Sequence, residues 1–206
     1  MASDGDVTTR QAGGVSPTRR VARAAWGRWA ALVAFGTGFG YVEAAVVHYL
    51  RRIVGDQLPD QVHVAHTYLN LGFIAFVRPE KAALVDPGLT RVETVREAAT
   101  LVMLAAIGWV AAETWRRRLA AFFVAFTVWD LTYYLFLRVL DGWPASVWDR
   151  DVFFLIPVAW VGPVLTALVL STLVLGGASW AYLRAPIRVV PIAVATLESS
   201  RSTEVS

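Results

Sequence analysis

The 206-residue chain has no cysteine and a single lysine, Lys81. The first absence removes disulfides, thiolate nucleophiles, iron–sulfur clusters and cysteine zinc sites together. The second leaves nearly all basic charge to arginine. Also missing are a Gly-x-Ser-x-Gly nucleophile elbow, a phosphate-binding glycine loop and a His-Glu-x-x-His helix, so the best-marked hydrolase, nucleotide and zinc-protease chemistries have no foothold. A di-metal carboxylate bundle would need Glu-x-x-His pairs on facing helices, and none is written. The arginines flank apolar runs and form no patch interleaved with polar residues, which argues against nucleic acid and for membrane orientation. No metal site and no cofactor is expected.

What the chain has in excess is apolar residues, 56% of the total with a mean hydropathy of +0.51, gathered in blocks. The pattern predicts an all-α polytopic membrane protein with four transmembrane helices plus one interfacial or re-entrant segment. The spans fall at about 29 to 50, 93 to 115, 119 to 138 and 152 to 175. Residues 1 to 28 read as a polar cytoplasmic tail, 29 to 185 as the membrane domain with an outer segment at 51 to 92, and 186 to 206 as a second cytoplasmic tail. The first run is too long for the core of a signal peptide and is expected to remain as a span.

Arg116, Arg117 and Arg118 form a short cationic turn between the second and third spans, which the positive-inside rule places in the cytoplasm. Both termini then lie inside, in the inner (plasma) membrane of a bacterium. Trp26, Trp29, Trp115, Trp180 and Tyr182 fall at the inner boundary, and Tyr49, Trp143 and Trp148 at the outer one. The stretch 62 to 78 is apolar but short and interrupted by His63, His66 and Asn70, so it is expected to lie over the outer mouth. Asp86-Pro87-Gly88 should turn the chain, and Thr90 with Glu93 should form a capping box opening the second span.

Glu43 and Asp130 sit inside apolar runs, and each is followed at the same interval by Leu-Arg, at Leu50-Arg51 and Leu137-Arg138. Each carboxylate thus lies roughly 12 Å below a cationic anchor. An acid near the outer, negative end of an outward-running helix gains nothing from the helix dipole and loses its hydration, so both demand partners or a function. Arg96 and His48 match them in depth, and Tyr133 and Tyr134 lie one turn beyond Asp130, where a phenol can donate to its carboxylate. Gly36, Gly40 and Ala44 make a small-residue face beside Glu43, suited to close helix packing or to leaving room for a ligand. Glu93, Arg96, Glu97 and Thr100 share one stripe; Glu93, like Asp149 and Asp151, is explained simply as a first-turn acid complementing a helix dipole, whereas Glu97, a turn deeper, and Arg96, as counter-ion or anion ligand, fit a structural and a functional role equally. Pro157 and Pro163 would break the fourth span, leaving Trp160 to wall a cavity or the helix merely kinked. His63 and His66, three apart, are more ordinary as solvated loop residues than as metal or haem ligands.

The two halves also share a faint pattern, with Arg96-Glu97 and Leu101 matched by Arg150-Asp151 and Leu155, as parallel repeats would show. The stretches Gly-Tyr-Val-Glu-Ala-Ala-Val-Val (40 to 47), Arg-Glu-Ala-Ala-Thr-Leu-Val-Met-Leu (96 to 104), Trp-Asp-Leu-Thr-Tyr-Tyr (129 to 134) and Gly-Trp-Pro-Ala-Ser (142 to 146) resemble a family of uncharacterised bacterial multi-pass membrane proteins. The resemblance covers most of residues 38 to 165 and implies no activity, substrate or site residue.

The candidate site is therefore an outer-half polar cavity of Glu43, His48, Arg96, Glu97, Asp130, Tyr133, Tyr134 and Trp160. Its expected role is to bind or move a small cationic or lipid-derived ligand, or protons. Two other roles compete: a membrane enzyme acting on a lipid or isoprenoid head group with one acid as general base, and a non-catalytic anchor or assembly subunit whose charges fix helix packing. The partners implied are the lipid bilayer, a small-molecule or lipid ligand, and subunits of a membrane complex or further copies of this chain, with no nucleic acid.

Overall fold

A computed structural model describes residues 17–54, 67–77 and 87–184. His63, His66, the chain up to residue 16 and the stretch from residue 185 onward lie outside the described residues. Among the described residues, four helices and four short strands run in the order α1 (Pro17–Val54), β1 (Thr67–Asn70), β2 (Ala75–Val77), α2 (Pro87–Val110), α3 (Trp115–Asp141), β3 (Arg150–Phe154), β4 (Ala159–Pro163) and α4 (Val164–Arg184). The fold is mostly helical. Three helical stretches, Ala22–Ile53, Trp115–Asp141 and Val164–Arg184, are long and apolar enough to cross a membrane.

α3 is the hub, packed against α1 most extensively and against α4 and α2 as well. The small-residue face of α1 explains the first contact. A Cβ at Gly36 would come within 2.8 Å of the Ala125 carbonyl oxygen, and one at Gly40 within 2.8 Å of the Trp129 carbonyl oxygen. The two backbones touch only because no Cβ is there. Leu32, Leu104, Ala121, Val124, Trp129 and Tyr182 fill the centre, drawn from all four helices.

The expectation of a mostly helical fold holds, but at one end of the bundle a small antiparallel sheet forms in the order β1-β2-β4-β3. The stretch expected to lie flat over the outer mouth is, at 67 to 77, a hairpin of β1 and β2, turned at Gly72. The apolar helix expected to begin at 152 begins at Val164. Residues 150 to 163 instead form a second hairpin, with Arg150 opposite Pro163 and Val152 opposite Val161. Both flanks are rich in β-branched and aromatic residues, and Pro157 cannot donate to a helix ladder, so it sits in the connection between strands. A short apolar run bounded by turn residues is compatible with either state.

Other boundaries shift for local reasons. α1 starts at Pro17, inside the expected tail, because Arg19 to Arg28 alternate with alanines, valine and tryptophan, all compatible with helix. α2 starts at Pro87, the position where a missing N–H costs nothing, so the expected capping box at Thr90 and Glu93 is already within the helix. Arg116 to Arg118 belong to the first turn of α3 and not to a connecting turn. Since Arg96-Glu97 is helical and Arg150-Asp151 is a strand, the two halves are not structural repeats.

Candidate functional site

At the sheet-bearing end of the bundle, polar groups gather where α1, α2, α3 and the β3–β4 hairpin meet. Glu43 and Glu93 are both buried and both hold Arg96: its Nη1 donates to Glu43, and its Nε lies 2.5 Å from Glu93 Oε2. One guanidinium thus bridges α1 to α2 with charge-assisted bonds. Glu97, one position on, takes a different partner. Its carboxylate accepts the backbone N–H groups of Leu155 (2.8 Å) and Ile156 (3.2 Å) at the tip of the β3–β4 hairpin.

That contact fixes the depth of the hairpin. Glu97 lies near the middle of α2, and Phe154 stacks on Phe126 near the middle of α3, with ring centroids 5.9 Å apart. The hairpin tip therefore reaches the middle of the bundle. Irregular backbone at such depth needs protein acceptors for its freed amides, and Glu97 is one.

Asp130 does not meet Glu43 directly. Its carboxylate accepts from Ser171 of α4 at 2.7 Å. Nor do the tyrosines donate to it as expected. Tyr134 donates instead to Asp151 of β3 at 2.8 Å, while Asp151 also accepts its neighbour Val152 N–H at 2.9 Å. Burial pushes the Asp151 carboxyl up to about 6, against the pull of those two hydrogen bonds. Tyr133 packs edge-on against Tyr134 and feels the charges of Asp151, Glu43, Arg51 and Arg96, and Asp151 feels Asp130 and Arg51. The two acids singled out in the sequence thus take separate direct partners, Arg96 for Glu43 and Ser171 for Asp130.

His48 pairs with neither. Its Nδ1 lies 2.5 Å from Asp141 Oδ1, at the outer end of α3, and Arg51 Nη1 lies 3.6 Å from the other oxygen while stacking on Trp143. Trp160 lies on β4 between Phe76 and Phe154 and not on a broken helix. Its indole N–H, like that of Trp129, is buried with no partner among the described residues.

Asp151, Asp141 and Ser171 are the site residues that sequence reasoning passed over. Asp151 reads as a helix-opening acid because the run after it is apolar enough for a helix; the mark against that reading is Pro157, which a helix opening there would carry in its interior. Asp149 does behave as a turn residue, accepting from the backbone of Ala145 and Ser146. Family models, curated proteins and solved structures were compared, and none matches. Among the described residues no three His, Asp or Glu side chains are grouped to hold a metal. A groove of about 460 Å³ lies apart from all these acids, between the turn after β1 and α4, with apolar walls at Phe73, Ile74, Trp148, Leu165 and Leu170.

Proposed function

We propose that the chain is a four-span inner-membrane protein whose outer half binds a small cation, a cationic lipid-derived group or protons. Charge balance carries the proposal. Among the described residues, Glu43, Glu93, Glu97, Asp130, Asp141 and Asp151 face only Arg51, Arg96 and His48 as inward cationic partners, since Arg52, Arg91, Arg138 and Arg150 are exposed. Six ionised carboxylates cannot share a low-dielectric interior with so few cations, so the deficit is met by protons or by a bound cation. Asp130 and Asp151 are the exchangeable groups, because their direct partners are hydroxyls and an amide and not guanidiniums.

The membrane assignment rests on exposed apolar residues such as Val102, Val110, Val139, Val169 and Leu173 along the helices, a surface that lipid would cover. α2, 24 residues long, serves as the fourth span because Glu93, Arg96 and Glu97 are neutralised inside the bundle. Among the described residues that end of the bundle carries Arg19, Arg20, Arg23, Arg28, Arg116, Arg117, Arg118 and Arg184 against Glu113 alone, a bias that supports a cytoplasmic side for both termini.

A second role, an anchor or assembly subunit, is favoured by the way Glu43, Arg96 and Glu93 close on one another. One measurement separates the two. Purified protein in weakly buffered detergent is titrated with choline, ethanolamine or sodium while proton release and tryptophan fluorescence are followed. A binding site gives saturable proton release that Asp130→Asn and Asp151→Asn diminish. No release with any of the three cations, together with no proton uptake between about pH 4 and 8, sinks the binding proposal and leaves the anchor.

A further inference from the structure

At the opposite end of the bundle, Arg117 is 2% exposed, the largest fully buried side chain in the described structure. It lies in the first turn of α3, with its guanidinium 4.8 Å from the centre of the Tyr182 ring. Its Nε and Nη2 have no hydrogen-bond partner among the described residues. The carbonyls at the end of α2 are engaged elsewhere: Ala111 accepts from the Tyr182 hydroxyl at 2.9 Å, and Ala112 accepts from Arg118 Nε at 2.9 Å. The remaining side of the Arg117 guanidinium bonds the Tyr182 hydroxyl, which also feels the charge of a second guanidinium, Arg28 of α1. The only described carboxylate at this end, Glu113, lies 3.6 Å from Arg28, and both of these side chains are about half exposed. Thr114 makes no side-chain bond to the first turn of α3, so the helix adds its uncapped amides and positive end to the same region.

Two guanidiniums drawn to one hydroxyl repel each other, and buried N–H donors left unpaired are costly. We propose that an oxyanion of the phosphate class occupies this place, held by Nε and Nη2 of Arg117 with Arg28 as second cation. The edge of a guanidinium offers two parallel donors to such a group, a geometry that phosphate accepts bidentately. Arg117 lies within one turn of the inner surface, at the level where lipid head groups end, so the phosphate is either that of an inner-leaflet anionic lipid or a free ion. This site is independent of the outer acids.

The test uses the full chain in phosphate-free detergent, with thermal unfolding followed by tryptophan fluorescence. Short-chain phosphatidylglycerol and inorganic phosphate are titrated separately. A rise in the unfolding midpoint with the lipid alone assigns a head-group site, and a rise with inorganic phosphate assigns a free-ion site. Arg117→Gln should weaken the response about tenfold or more, while Arg116→Gln, which alters an exposed neighbour, should leave it intact. If Arg117→Gln does not fold, native mass spectrometry of the wild type decides, with one retained phosphate-bearing molecule expected per chain. Absence of response to both probes, or an equal response in Arg117→Gln, overturns the proposal.

Discussion

Tyr134 donates its phenolic hydrogen to Asp151 across 2.8 Å, tying the hub helix to the first strand of the β3–β4 hairpin. The carboxyl of Asp151 titrates near 6 in the folded chain against 3.8 for an ordinary aspartate. A raised value means the folded state holds the proton more tightly than the unfolded one. Stability from this group is therefore complete below about pH 4 and lost as pH rises through about 6, by an amount on the order of 3 kcal/mol. Wild-type protein should unfold at progressively lower temperature across that window, and Asp151→Asn should flatten the curve there. An unchanged slope in the variant would refute the assignment.

Arg96 neutralises two buried acids at once. Arg96→Gln should cost about 3–5 kcal/mol, because Glu43 and Glu93 would remain buried and unpaired. Adding Glu43→Gln to that variant should restore a substantial part of the loss. A double-mutant cycle in chemical denaturation measures the coupling, and simple additivity would show that the pair does not interact.

Gly40 and Gly38 lie on opposite sides of α1. Gly40→Ala should push α1 off α3 and cost about 1–3 kcal/mol, since the new methyl would meet Thr132 and the Trp129 carbonyl. Gly38→Ala meets nothing within 4 Å, so it should be neutral or gain up to about 1 kcal/mol. Comparing the two unfolding midpoints checks the helix pairing.

Because the chain has no cysteine, topology can be read with single introduced thiols. Ser146 and Arg116 are both exposed, at opposite ends of α3. Ser146→Cys should react with an impermeant maleimide applied outside intact cells, and Arg116→Cys only after the membrane is opened. The reverse pattern would invert the proposed orientation.

Where the sequence carried a period, it could be read. Four-residue spacing exposed the Gly36–Gly40 face, and matched depth found Arg96 for Glu43. The β3–β4 hairpin was hidden because Phe153 to Val161 is as apolar as the helix that follows it, and hydropathy does not distinguish a buried strand from a span. Asp151 was misjudged for the same reason, and His48 was matched to the wrong acid because depth along α1 does not reveal which helix its ring faces. Asp141 is the last residue of its helix, and neither spacing nor matched depth points to it.

The hold of Glu97 on the hairpin amides also bears on how the chain is assembled. The acceptor precedes its donors by 58 residues, so synthesis from the amino terminus delivers α2 before the tip that depends on it. Leu155 and Ile156 would otherwise enter the bilayer with bare amides, a costly state in hydrocarbon. Biogenesis in the native order thus places a receptor in the membrane ahead of the loop it must catch.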